Sequence, residues 1–191
     1  MKLKVIIGST RQGRGSDKAA KWVVSNLEGK AEVEVLDLKD YPLPFMEEAV
    51  SPQYNPDRKP AGVVKQWLDK LSDADGLIIV TPEYNRSIPG ILKNAIDTVA
   101  YELKGKPVGI VAHGSTGGAQ AVSHLRGIIP AVLATTVPTV VYLPGMAGVT
   151  FNEDGTLNKD YAFHEERLAG ALNDQLNEIR SGACKCKECR P

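Results

Sequence analysis

The sequence has 191 residues, 42% of them hydrophobic, and its 23 basic and 23 acidic side chains leave a formal net charge of zero. That length and apolar content suit one domain with one substantial core. Zero net charge argues against general nucleic-acid affinity, which needs a basic face, and against an acidic electron carrier steered to partners by charge. No apolar run approaches the ~20 residues of a membrane helix. Met1-Lys2 leads straight into an apolar segment with no signal-peptide pattern, and the three cysteines all lie near the C-terminus. A cytoplasmic protein without a disulfide framework is therefore expected.

Residues 3–7 read as a strand, followed by Gly8-Ser9-Thr10-Arg11-Gln12-Gly13-Arg14-Gly15-Ser16 and a helix from about Asp17. A helix start has amides without internal partners and partial positive charge, so a small-residue loop entering it makes an anion cradle. Ser9, Thr10 and Ser16 add hydroxyls there, and Arg11 and Arg14 add charge. The loop matches neither G-x-x-x-x-G-K-[ST] nor G-x-G-x-x-G. A nucleoside triphosphatase and a standard dinucleotide site are both disfavoured. The plainer reading is a strand-to-helix turn with Ser16 or Asp17 as N-cap.

Residues 31–38 alternate polar and apolar, as an outer strand does. Segment 41–60 holds five prolines and cannot be one regular element; its place suits dimer contacts or a cover over the ligand, with a plain surface excursion as the alternative. Residues 61–71 form an amphipathic helix. Residues 76–80 are a continuous apolar run, as in a central parallel strand. The polar loop at 81–87 and a helix over 88–103 follow, then a strand over 106–112, a small-residue loop at 113–118 and a helix over 119–133. A fifth strand spans 138–143, and a last helix 160–179. This alternation predicts a flavodoxin-like α/β fold: a doubly wound five-stranded parallel sheet in the order 2-1-3-4-5 with helices on both faces. The loops at 8–16, 82–87 and 113–118 then meet at the carboxyl ends of strands one, three and four.

Gly8-Ser9-Thr10-Arg11, Pro82-Glu83-Tyr84-Asn85 and the run from Ser87 to Asp97 together resemble the NADPH-dependent FMN reductase family, which includes chromate, quinone and azo-dye reductases. The resemblance implies an FMN phosphate held by Ser9, Thr10, Arg11 and Ser16. It implies a ring lying along Pro82, Glu83, Tyr84 and Asn85, closed over by Ser115, Thr116 and Gly117. NADPH or NADH is the implied co-substrate in a ping-pong reaction, with free flavin, a quinone, an azo compound or a metal ion as acceptor. A homodimer or homotetramer is implied as well, with helix 88–103 near the interface and Asn94 supporting the flavin loop. Asp17 stands where the family often has asparagine, so its carboxylate must turn away from a phosphate, as it would when capping the helix.

His113 stands at a strand end beside the slot, and Arg14 and Arg86 flank it as candidates for the 2′-phosphate of NADPH. Lys93 reads as a solvated charge and Asp97 as one partner of a structural ion pair. Cys184, Cys186 and Cys189 form C-x-C-x-x-C, one ligand short of a closed structural zinc site, so no metal is expected. They mark residues 182–191 as a mobile tail after a domain over 1–181. The rival readings are a flavin-binding electron carrier or sensor without NAD(P)H turnover, and a nucleotide-binding protein without flavin.

Overall fold

The computed structural model describes residues 1–188. Five parallel strands form one sheet in the order β2-β1-β3-β4-β5. They are β1 (Lys2–Ile7), β2 (Glu32–Asp37), β3 (Gly76–Pro82), β4 (Pro107–His113) and β5 (Thr135–Tyr142). β3 and β4 are buried along their whole lengths, which is why they read as unbroken apolar runs. Alternate residues serve opposite faces. Leu3, Val5, Ile7, Ile78 and Val80 pack against α1 (Ser16–Leu27) and α6 (Glu165–Glu188). Ile6, Leu77, Ile79 and Ile110 pack against α2 (Gly62–Ser72), α3 (Gly90–Asp97) and α4 (Ala119–Ala131). A four-residue helix, α5 (Ala147–Thr150), lies beside α1.

The helix predicted over 88–103 is only α3, eight residues long. The cause is at Ala95. Its carbonyl accepts from the Thr98 hydroxyl at 2.8 Å and from the Trp67 indole of α2 at 3.1 Å. The Val99 amide, which would take that carbonyl in a continuing helix, bonds Ile96 instead. β5 starts three residues before the predicted strand, because Pro138 sits at an edge where the pairing with β4 shifts register between Val108 and Ile110. Gln175 of α6 fills that irregularity, donating to the carbonyls of Ile110 and Thr139 at 2.9 and 3.0 Å.

The last helix starts later and ends later than the predicted 160–179. Its final turns carry the backbone of Cys184 and Cys186, while Cys189 lies outside the described residues. Segment 41–60 crosses the outside of α3. Asn94 fastens it, donating to the carbonyls of Pro44 and Leu43 and accepting from the Met46 amide. Asn94 therefore holds this segment and not the loop at 82–87. Lys93 and Asp97 form the i,i+4 ion pair on the exposed side of α3 at 2.6 Å.

Candidate active site

Four chain segments close around a cleft of about 360 Å³ at the carboxyl end of the sheet. Three are the predicted loops. The fourth, Met146–Val149 after β5, was not singled out by the sequence reading, although Pro144-Gly145 ends β5 as small residues end β1 and β4. Its closeness is fixed by glycine. A Cβ on Gly15 would lie 2.2 Å from the Gly148 nitrogen, so the start of α1 and this turn touch backbone to backbone.

Arg11, Ser16, Pro82, Glu83, Tyr84 and Ser115 line the cleft. Ser9 lies just beneath the surface, fully buried, with its hydroxyl 2.7 Å from that of Tyr84. Thr10, Asn85, Thr116 and Gly117 are not among the lining residues, and no residue of 41–60 reaches the cleft. The N-cap of α1 is Gly15, with no side-chain cap. The predicted cap by Ser16 or Asp17 is thus absent, because both side chains have other partners. The Asp17 carboxylate accepts from Arg14 Nε at 2.7 Å. Ser16 Oγ is 2.9 Å from His113 Nε2. The amides of Ser16, Asp17 and Lys18 bond to no described residue, as expected of a helix start.

The two loop arginines have different fates. Arg14 is buried, its guanidinium bonded to both oxygens of Asp37, to Asp17 and to the Ser9 carbonyl. It cannot also serve the 2′-phosphate of NADPH, and it adds structure rather than free charge to the cradle. Burial would raise the Asp37 carboxyl, but the Arg14 bond and the Lys39 amide hold it below the usual range. Arg11 is exposed and makes no ion pair among the described residues. It is the arginine left for an anion.

At 82–87 the chain makes a tight turn. Tyr84 and Ser87 exchange backbone bonds at 2.8 and 2.9 Å, with Asn85 at φ 48° and Arg86 at φ 63°. Two left-handed residues in succession are the mark of a primed turn. Its central amides, of Asn85 and Arg86, bond to no described residue. The Glu83 amide donates to the His113 carbonyl at 2.9 Å, and its carboxylate accepts from the Gln120 amide in the first turn of α4. The second and third loops are thereby locked together. Gly118 is left-handed at the start of α4, where a Cβ would come within 2.7 Å of Ala112.

The family model described as NADPH-dependent FMN reductase matches residues 1–147. The chain belongs to the NADPH-dependent FMN reductase family. It is 37% identical over 144 residues to a NAD(P)H-dependent FMN reductase of Schizosaccharomyces pombe, covering 73% of this chain and 72% of that protein. It is 32% identical over 166 residues to an FMN-dependent NADPH-azoreductase of Staphylococcus haemolyticus, covering 84% and 85%. Among solved structures, the flavoenzyme NAD(P)H:(acceptor) oxidoreductase FerB of Paracoccus denitrificans superposes with a TM-score of 0.75 at 26% identity, covering 95% of this chain and 98% of that one. This family member is accordingly an oxidoreductase, and its matched region includes the cleft as far as Ala147.

His113 also lines the cleft. Burial lowers its pKa to about 4, so the imidazole is neutral near pH 7. Among the described residues no helix is long and apolar enough to cross a membrane, and no group of His, Cys, Asp or Glu is arranged to hold a metal.

Proposed function

We propose that the cleft binds FMN and that the protein is a cytoplasmic NAD(P)H-dependent oxidoreductase passing electrons to a small acceptor. The observation that carries the reading is the donor set at one end of the cleft. Ser16, at the start of α1 where the first amides bond to no described residue, and Arg11, without an ion pair among the described residues, both line it there, which suits a phosphate dianion. The cleft volume is in the range of small-molecule sites. Bound there, FMN would accept a hydride from NADPH or NADH and give up its electrons to a quinone, an azo compound, free flavin or a metal ion.

The residues of this chain supply position and electrostatics. The first loop holds the phosphate. Tyr84 forms a wall whose hydroxyl ties it to Ser9, and the central amides at Asn85 and Arg86 are donors available to the polar edge of a ring. Ser115, Thr116 and Gly117 stand at the tip of the third loop, where they would close over that edge. Hydride transfer between nicotinamide and flavin needs no protein acid or base, so neutral His113 is not asked to move a proton. The co-substrate and the acceptor would use one slot in turn, a ping-pong scheme. A homodimer or homotetramer would add a wall from a second subunit, which light scattering after size-exclusion chromatography would detect.

The absorbance spectrum tests the whole reading. A yellow preparation should bleach anaerobically with NADPH or NADH and recolour on adding a quinone or azo dye. A preparation that stays yellow with both nicotinamides loses the reductase reading and leaves a flavin-binding carrier. A colourless preparation that takes up no FMN loses the site itself.

A further inference from the structure

We propose that His113 is a positioning residue for the phosphate end of the cleft: it turns the Ser16 hydroxyl so that its proton is donated to a phosphate bound at the start of α1. The inference rests on the FMN reading above. His113 ends β4 and Ser16 opens α1, 97 positions away, and the fold brings Nε2 within 2.9 Å of Oγ. The two residues are 6% and 0% exposed and both belong to the wall of the cleft.

A serine hydroxyl has one proton and two lone pairs. If the imidazole accepts that proton, the serine oxygen presents lone pairs to the incoming anion and repels it. If Nε2–H donates to the oxygen, the serine proton is left for the phosphate. A neutral imidazole does this in its Nε2–H tautomer, and burial keeps His113 neutral near pH 7. Among the described residues Arg11 lines this end and is left for the same phosphate, whereas Arg14 and Glu83 are engaged. Arg14 is held by Asp37 and Asp17, and the Glu83 carboxylate by the Gln120 amide. Among the described residues the Ser16 hydroxyl has His113 as its one side-chain partner. A serine at a helix start that only capped the helix would have bonded an amide of its own first turn. This one contacts His113 instead, so the direction of that bond decides where the serine proton goes.

The test compares FMN with riboflavin, which lacks the phosphate, by quenching of flavin fluorescence in four proteins: wild type, His113→Leu, Ser16→Ala and the double variant. His113→Leu should weaken FMN binding about three- to tenfold, the worth of one hydrogen bond, and leave riboflavin binding unchanged. In the Ser16→Ala background His113→Leu should cost nothing further, because the contact it acts through is gone. His113→Gln, which can still reach Ser16 but does not titrate, should recover most of the FMN affinity, and it serves as the measured variant if His113→Leu does not fold. Equal weakening of both ligands, additive losses in the double variant, or a Gln variant that loses as much as Ser16→Ala would overturn the inference while leaving the FMN reading intact. A wild-type protein that binds neither ligand overturns both.

Discussion

The two ends of the sheet are built on opposite rules. At the amino end the charges are matched. Lys4, whose side chain is only 4% exposed, pairs with Glu34 and Asp73, and Lys2 and Lys70 pair with the same two carboxylates. The Lys106 ammonium donates to the carbonyls of Leu71 and Ser72 at 2.7 Å. At the carboxyl end, helix-start amides, turn amides and the guanidiniums of Arg11 and Arg86 have no described partner. A saturated end can only hold the sheet together. An end with donors left over is stable only because water solvates them, and a ligand that replaces that water gains their bonds. Arg14 shows that the carboxyl end is not short of acidic partners, because Asp37 and Asp17 neutralise it three residues from unpaired Arg11.

This contrast can be broken most forcefully at Arg14, which follows the amino-end rule although it lies at the carboxyl end. Arg14→Ala leaves the half-buried Asp37 without its guanidinium and should cost about 3–5 kcal/mol of stability in urea unfolding. A loss below about 1 kcal/mol would show that the pair is dispensable. The next effect is the pH dependence set by His113. Its folded pKa of about 4 is below the ordinary 6.5, so between those values the unfolded chain binds the proton and the folded chain does not. Stability should be full above pH 6.5 and fall by up to about 3 kcal/mol as the pH drops to 4, at 1.36 kcal/mol per pKa unit. His113→Gln should flatten that fall, and parallel pH profiles for the two proteins would refute the assignment.

Arg11→Ala separates the two ends most cleanly. Nothing among the described residues pairs with its charge, so unfolding should shift by less than about 0.5 kcal/mol, while FMN binding weakens by about 1.5–3 kcal/mol, as for a hydrogen bond to a charged group. A variant with lower stability and unchanged affinity would reverse the roles given to Arg11 and Arg14. The smallest effect belongs to the outermost charges of the amino end. Lys70→Ala should leave the urea midpoint unchanged within error, because exposed pairs contribute little.

What was legible in the sequence is what depends on near neighbours. The strand order, the two-sided burial of β3 and β4, and the meeting of three loops follow from apolar runs broken by small residues. What was not legible depends on residues far apart. Arg11 and Arg14 are alike in a string of letters; only the end of β2 decides which of them is neutralised. The helix over 88–103 is cut short by an indole from α2. Ser16 looked like a cap until the end of β4 supplied its partner. The turn at Met146–Val149 had a signal in Pro144-Gly145, but its contact with Gly15 is set by the packing of α5 beside α1.

The fastening at Asn94 has a consequence for motion. Segment 41–60 carries Phe45 and Tyr54, 81% and 79% exposed, so it has little burial of its own at those positions to hold it down. One carboxamide, making three bonds to Leu43, Pro44 and Met46, ties its first half to the rigid body of α3. Detachment is therefore a discrete event, a local opening with its own free energy, and not a gradual loosening. The Met46 amide acts as its clock: its rate of hydrogen exchange counts how often the strap lifts while the sheet beneath stays folded.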